Sequence, residues 1–283
     1  MRPTLPSFQS STLPSVHPLK GLLALPKRHY LIRQYLFRQI GQRYKGAALG
    51  VLWSIVTPLL MLLVYTFVFG TIMNARFGIS KTETTLDFAL ALFCGLNLFN
   101  LCADVIARSP AIILGQPNLV KKVVFPLEIL PLVTMLDALI HSLLAFIPLF
   151  LALIIVRHAI PWSFVFLPFY LIPMALFALG LSLFLSALGV FVRDIPNIIN
   201  PLITILLFSS AIMYPLSAVP EPVRSWFYFN PFAVLIEDSR KALMWGFFPN
   251  FLTLALLTGV GLLFVVAGFL FFEKSKPAFA DVM

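Results

Sequence analysis

Charged residues are scarce in this sequence. Asp, Glu, Lys and Arg make up 11% of its 283 residues, while hydrophobic residues make up 60%. Soluble proteins carry roughly 25% charged residues, so this composition is too apolar for a water-soluble protein. Acidic residues are absent from positions 1–50, which hold eight Lys or Arg, whereas the rest of the chain holds twelve basic and eleven acidic residues. Because Lys- and Arg-rich short segments stay on the cytoplasmic side of a membrane, we expect a cytoplasmic N-terminus.

Residues that mark an active site are also scarce. Cys94 and Cys102 lie on one predicted helix, about 12 Å apart along its axis, which is beyond disulfide reach. The four histidines form no metal-ligand spacing with cysteine, and no Gly-x-Ser-x-Gly is present. Gly41 and Gly46 have the spacing of a P-loop, but alanines follow where Lys and Ser/Thr are required. We therefore predict no catalytic residue, no metal site, no cofactor and no nucleotide site in this chain.

The isoelectric point of about 9.8 raises the question of a nucleic-acid partner. Basic loops on the cytoplasmic side and attraction to anionic lipid head groups account for such a charge balance in a membrane protein. We therefore expect a membrane partner and no nucleic acid.

Long apolar runs determine the predicted fold class. A hydrocarbon core of about 30 Å needs about 20 apolar residues per helical span. The sequence therefore predicts an all-α polytopic membrane protein whose six transmembrane helices lie at 50–73, 87–106, 127–156, 162–190, 196–216 and 251–272. Six spans return the C-terminus to the cytoplasm, where Lys274 and Lys276 fit the same charge rule.

The segments outside the spans have their own character. Residues 1–26 are rich in Pro and Ser and are predicted to form a flexible arm. If residues 27–48 form a helix, one side of it is apolar and the other polar, which indicates an amphipathic helix in the cytoplasmic membrane interface. A simple stop-transfer anchor is the alternative. The six-span domain then covers 49–273, and 274–283 form a cytoplasmic tail.

A segment between spans five and six is too short to cross a membrane. Asn230 and Pro231 have the pattern of an N-cap and a first helical position. Gly246 ends the predicted helix after Trp245. Because five predicted spans separate this short helix from the cytoplasmic N-terminus, we expect it on the outer face. The aromatic run 226–229 before it suits the membrane interface.

Two cytoplasmic connections are recognisable. The turn after span four contains Arg193 and Asp194, and Asp194 is expected to cap the next helix, with Pro196 in its first turn. The loop after span two, 107–126, carries basic residues and no acid. Its charge and the two spans that precede it both predict a cytoplasmic location.

Asp137 and His141 are one helical turn apart inside span three. An ionisable residue inside a membrane is a functional candidate by default. The pair is either part of a proton relay or a hydrogen-bonded pair that holds helices together. Asp104 and Glu128 lie near the cytoplasmic ends of their spans, so no relay of acids at one depth is evident.

Four stretches together resemble a known family: 43–45 (RYK) with 49–54, 58–59 and 64–69; 118–131 (NLVKKVVFPLEILP); 192–195 (VRDI) with 214–216; and 230–231 (NP). Their order, spacing and topology are similar to those of the permease subunit of type-2 ABC exporters of lipid-linked polysaccharides, which export O-antigen, capsule and teichoic acid. The resemblance covers about residues 30–272.

The resemblance implies a half-channel in the bacterial inner membrane. A second copy of the chain would complete the pore, and two copies of a separate ATPase, which bind ATP and Mg, would attach on the cytoplasmic side. The loop after span two would form a coupling helix that docks on the ATPase, with a plain basic loop as the alternative. The residues at that position are Ser109, Pro110, Asn118, Lys121 and Lys122.

The same resemblance suggests where the cargo passes. Arginines match phosphate oxygens bidentately, so a basic cluster before span one is expected to attract the diphosphate of a polyprenyl carrier; general lipid attraction is the alternative. That cluster comprises Arg33, Arg38, Arg43 and Lys45. Aromatic faces contact sugars without strict hydrogen-bond geometry, although each of these positions also suits the core or lipid. The candidate channel residues are Tyr65, Phe69, Phe88, Phe99, Phe208 and Tyr214.

The outer helix is predicted to gate the exit, with Trp226, Tyr228, Asn230 and Pro231 at its start. We therefore expect the membrane subunit of an ATP-driven exporter that moves a polyprenyl-diphosphate-linked, O-antigen-like polysaccharide. Three alternatives remain: an ABC permease for drugs or small lipids, a polyprenyl-phosphate-dependent membrane transferase, and a proton-coupled carrier. The transferase would need clustered acids, and Glu128, Asp137 and Asp194 are dispersed in the sequence.

Overall fold

The computed structural model describes residues 28–73, 76–78, 84–121, 125–157 and 162–283. Most of these residues are helical, and no strand occurs among them. The predicted arm at 1–26 and the predicted coupling residue Lys122 lie outside the described residues.

The α-helices are numbered in chain order within the described part. The first five are α1 (His29–Arg43), α2 (Trp53–Tyr65), α3 (Thr85–Arg108), α4 (Pro117–Lys121) and α5 (Ile129–Arg157). The other six are α6 (Leu167–Phe191), α7 (Ile195–Ser209), α8 (Glu221–Phe229), α9 (Pro231–Trp245), α10 (Phe251–Ser275) and α11 (Phe279–Val282). A π-helix over Thr66–Ile72 continues α2, and a 3-10 turn at Ser109–Ala111 follows α3.

Five helical segments are long and apolar enough to cross a membrane: Gly50–Ile72, Leu86–Ala111, Ile129–Val156, Trp162–Phe191 and Phe251–Val282. Each agrees with a predicted span to within a few residues at most ends. The all-helical membrane fold is therefore confirmed. The count of six spans is not confirmed, because the predicted span at 196–216 is a shorter apolar helix.

The early end of α7 has a visible cause. This helix has 15 residues, which is about 22 Å and less than the roughly 30 Å of a hydrocarbon core. The side-chain amide of Asn230 donates to the carbonyl oxygen of Ser209 at 3.0 Å and to Oγ of Ser210 at 3.2 Å. Ala211 then adopts a left-handed φ of 49°. The start of α9 thus terminates α7.

Local signals predicted other helix ends correctly. Oδ1 of Asn230 accepts a hydrogen bond from the backbone N–H of Phe232 at 3.0 Å, and Gly246 ends α9 with a φ of 75°. The helix predicted for residues 231–245 is therefore confirmed. Asp194 is the N-cap residue of α7 and Pro196 lies in its first turn, as predicted, but the Asp194 side chain makes no capping hydrogen bond.

Packing differs strongly between neighbouring helices. The helix α3 is the centre of the bundle and contacts α5, α6 and α9. The closest helix pair is α6 with α10, where Gly180 and Gly268 bring the two backbones into direct contact. By contrast, the only buried residues of α2 and its π-helical continuation are Leu62 and Gly70. One side of the bundle is therefore loosely covered, and the candidate site lies there.

Candidate functional site

A cleft of about 640 Å³ lies beside α2 and is also bounded by α3, α5 and α7. Its surface is largely apolar but carries several polar side chains, and it is called the polar cleft below. Its lining includes amide and hydroxyl side chains from all four helices, namely Ser54, Thr57, Asn97, Asn100, Ser142 and Asn200. Asn97 is buried, and its amide exchanges hydrogen bonds with Ser142. Asn100 and Asn200 are exposed, and within the described residues no hydrogen bond occupies their side-chain amides. The cleft therefore offers neutral donors and acceptors to a polar molecule.

One end of this cleft holds a cluster of ion pairs. Asp137, which is completely buried, accepts hydrogen bonds from Nη1 of Arg108 at 2.7 Å and from Nη1 of Arg43 at 3.3 Å. Asp104 accepts from the same two arginines at 2.6 and 3.2 Å. Two guanidinium groups thus balance two carboxylates, and the burial of Asp137 requires such pairing. The cluster ties the end of α1 to α3 and α5.

Arg43 belongs to this cluster rather than to a free basic surface. Burial acts to lower the pKa of its guanidinium, but the charges of Asp104 and Asp137 outweigh this effect and raise the pKa above its ordinary value. Arg43 therefore already has two acidic partners, and its role as a ligand for diphosphate stays a prediction.

His141 adjoins the cluster. Its Nδ1 lies 2.7 Å from the backbone oxygen of Asp137, and its ring stacks on Tyr44 with centroids 5.5 Å apart. Nε2 of His141 is buried and has no hydrogen-bond partner among the described residues. Because Asp137 is held by two arginines, this geometry favours the helix-tying interpretation over a proton relay.

A second cleft, of about 500 Å³, lies between α1 and the loop after α3. Its polar lining residues are Arg38, Gln39, Gln42, Arg108, Gln116 and Thr134, and no acidic residue lines it in the described part of the chain. Arg33 and Lys45 are exposed elsewhere on the surface. Of the four predicted basic residues, only Arg38 therefore faces this cavity.

The predicted coupling residues separate into two groups. Ser109 and Pro110 are buried, and Oγ of Ser109 lies 2.7 Å from Oγ of Ser182 on α6. A Cβ on Gly189 would overlap the backbone of Pro110. These two residues therefore anchor the loop and have no surface for a partner. Asn118 and Lys121 are exposed on α4.

Three of the six predicted channel aromatics, Tyr65, Phe69 and Phe88, form a chain of ring contacts. Phe88 and Phe99 are 2% and 1% exposed in the core, so their prediction as channel-lining residues is corrected by their burial. Tyr65 and Phe69 pack against the same core. Phe208 is exposed, and the hydroxyl of Tyr214 donates to its carbonyl oxygen. None of the six is among the described residues that line the polar cleft. Asparagines within apolar spans were the sequence signal that this prediction missed.

The helix α9, predicted to lie on the outer face, is firmly attached. Arg240 is completely buried; its Nε donates to the carbonyl oxygen of Ala91 at 3.1 Å and its Nη2 to that of Ile212 at 2.8 Å. Its guanidinium also lies 4.3 Å from the centroid of the Phe77 ring. Burial lowers the pKa of Arg240, although the charge of Glu237 opposes this. The guanidinium thus joins α9 to α3 and to the residues after α7.

The other predicted outer residues lie just before α9. Trp226 and Tyr228 are exposed on α8, at 76% and 61%. Asn230 and Pro231 instead form the start of α9 and are engaged in its capping and in the end of α7. On the opposite connection, Arg193 and Asp194 are both exposed.

A helical membrane domain with a polar cleft along its spans is typical of a membrane transport protein. Residues 30–244 match the model of the family described as ABC-2 type transporter. The chain therefore belongs to the ABC-2 type transporter family. It is a multi-pass membrane protein with a transport role.

Several curated proteins are similar over most of their length. The O-antigen export system permease protein RfbA of Klebsiella pneumoniae is 28% identical over 244 residues, which cover 85% of this chain and 90% of that protein. RfbA of Myxococcus xanthus is 28% identical over 247 residues, covering 86% and 92%. The polysialic acid transport protein KpsM of Escherichia coli is 23% identical over 248 residues, covering 87% and 94%.

Proposed function

We propose that this chain is the membrane subunit of an ATP-driven exporter that moves a polyprenyl-diphosphate-linked, O-antigen-like polysaccharide across the bacterial inner membrane. The polar cleft is the observation that supports this most. Neutral amides and hydroxyls both donate and accept hydrogen bonds, which suits a chain of sugars with many hydroxyl groups. The similarity to O-antigen and polysialic acid transport proteins supports the same class of cargo.

A homodimer is part of this proposal. One wall of the cleft is α2, which the rest of the chain covers only loosely. A second copy facing this side would enclose two half-clefts in one pore. The basic bias of the first 50 residues supports a cytoplasmic N-terminus, and six crossings would place the C-terminus on the same side. The fifth crossing would then consist of the short helix α7 together with the residues that follow it, instead of one long helix.

The energy source in this proposal is a separate ATPase in two copies, which binds ATP and Mg. The short helix α4 is the proposed docking element, because Asn118 and Lys121 are exposed there. The buried turn at Ser109 and Pro110 would transmit movement, because it is fixed to α6 through Ser182 and Gly189. Helix α4 would thus receive force from the ATPase, and α6 would carry it into the membrane domain.

The diphosphate of the carrier lipid is proposed to enter at the second cleft. Arg38 lines this cavity beside Gln42 and Gln116, without a neighbouring acid among the described residues. A guanidinium with amide neighbours suits phosphate oxygens. Arg33 and Lys45 would add general attraction to the membrane surface. On the opposite face, α8 with Trp226 and Tyr228 is the proposed exit gate, because its aromatic residues are exposed while α9 is anchored.

Transport into inverted membrane vesicles tests this function. Vesicles containing the chain and its ATPase are expected to take up lipid-linked glycan only with ATP, and uptake is expected to persist when an uncoupler removes the proton gradient. Replacing Asn100 and Asn200 by leucine should reduce uptake at least tenfold without loss of protein from the membrane. Leu263, which is exposed on α10, provides the control variant Leu263→Ala. Uptake that follows the proton gradient at constant ATP would reject the proposal.

A further inference from the structure

The segment after α10 is packed rather than free. This tail segment, Lys276–Met283, consists of a 3-10 turn at Lys276–Ala278 and the helix α11. Phe279 is completely buried; its ring lies 5.5 Å from that of Phe272 and 6.0 Å from that of Phe191. The tail segment is therefore fixed by an aromatic contact to the ends of α6 and α10.

An ion pair fixes the same segment from another direction. Glu128, at the start of α5, is only 3% exposed. Its Oε2 accepts a hydrogen bond from Nζ of Lys276 at 2.7 Å, and its Oε1 accepts one from Nη1 of Arg28 at 2.8 Å. One buried carboxylate thus joins the tail segment, the start of α5 and the residue before α1. Removal of either cation would leave part of this carboxylate buried and unpaired.

These contacts lie around the short helix α4. It has five residues, and an isolated helix of that length is unstable in water. Its inward residues Leu119 and Val120 pack against the apolar cluster that contains Phe279, and α4 also contacts α11. Its outward residues Asn118 and Lys121 remain exposed. Neighbouring segments, including the tail segment, therefore determine where α4 lies.

We propose that the tail segment is a clamp that positions α4 for the ATPase and forms one continuous docking surface with it. Pro277, Ala280, Asp281 and Val282 are exposed on the tail segment, whose helix α11 contacts α4. An ATPase that binds α4 would therefore contact both. This inference rests on the proposed function, since the occupant of the surface is the partner ATPase.

The clamp is tested by comparing variants of full-length chain purified with its ATPase in mild detergent. Phe279→Ala should lower the amount of copurified ATPase about tenfold or more. It should also speed protease cleavage after Lys121, because α4 loses its support. Phe279→Leu preserves apolar volume and should retain both properties. Val282→Ala, on the exposed side of α11, is the matched control for the clamp and should preserve protease resistance.

Two further variants separate the possible outcomes. Lys121→Glu, on the outer face of α4, tests ATPase docking directly. If wild-type chain copurifies no ATPase, the proposed function itself fails. If Lys121→Glu loses the ATPase while Phe279→Ala keeps it and α4 stays protected, the clamp is rejected and the function stands. Should Phe279→Ala not reach the membrane, Lys276→Gln decides: normal ATPase binding and protection in that variant reject the clamp.

Discussion

A Cβ atom on Gly95 would lie 2.6 Å from Nη2 of Arg240. Because Gly95 has no side chain, the buried guanidinium of Arg240 on α9 can pack directly against the central helix α3. Because Arg240 bonds to backbone oxygens of two other segments, the space at Gly95 contributes to the position of α9.

We predict that Gly95→Ala destabilises the protein by about 2 kcal/mol, because the methyl group would displace a buried charge from its partners. The measurement is the melting temperature of detergent-solubilised protein, which should fall. Helix propensity alone would favour alanine over glycine by about 1 kcal/mol, so the sign of the effect is diagnostic.

Gly259→Ala on α10 is the matched control, because a Cβ there would meet nothing within 4 Å. Its melting temperature should be unchanged or higher. Equal behaviour of the two variants would show that the guanidinium has room to move away from residue 95.

A second prediction concerns the ion-pair cluster at the end of the polar cleft. Asp137→Asn removes a buried carboxylate that two arginines share, which should destabilise the protein by about 3 kcal/mol. His141→Gln should have a much smaller effect, because the ring mainly contacts the backbone oxygen of Asp137 and the Tyr44 ring. Thermal unfolding of both variants in detergent is the measurement.

The histidine variant also separates the two interpretations of this pair. If the pair only ties helices together, His141→Gln should export glycan at a rate within about threefold of the wild type. Export that disappears in a His141→Gln protein of normal stability would instead support a proton relay.

Local patterns and contacts across the fold differed in how well they could be predicted. Asn230 and Gly246 act on their own helix, so the bounds of α9 followed from the sequence. The end of α7 depends on an amide 21 residues away, and Arg43 finds Asp137 at a separation of 94 residues. The burial of Ser109 depends on Ser182 across the bundle. No periodicity or composition signal reports such contacts, which is why the sequence did not reveal the early end of α7, the ion pairs of Arg43 or the burial of Ser109.

A third prediction concerns the connection between the loop after α3 and α6. Gly189→Ala would place a methyl group against the backbone of Pro110, which has little freedom to move. We expect ATP-dependent export to fall at least tenfold, because the turn that follows α3 would be displaced from α6. Export in vesicles and the rate of ATP hydrolysis are measured together.

Gly41→Ala is the control for this effect, because nothing lies within 4 Å of a Cβ at that position. Its export should equal that of the wild type. Normal export by Gly189→Ala would contradict the assignment of this close contact as a mechanical link.

The last prediction uses the difference between two arginines of α1. Arg38 lines the second cleft, whereas Arg33 is exposed and lies 5.6 Å from the centroid of the Phe37 ring. Arg38→Gln should therefore weaken binding of a polyprenyl diphosphate about tenfold or more, since it removes a charge-assisted contact. Arg33→Gln removes the same charge from the same helix and should weaken binding less than threefold. Binding is measured with the carrier lipid in nanodiscs of neutral phospholipid, so that general attraction to anionic head groups is absent. Equal losses in the two variants would mean that the basic helix acts only through its overall charge, and the diphosphate site would then have to lie elsewhere.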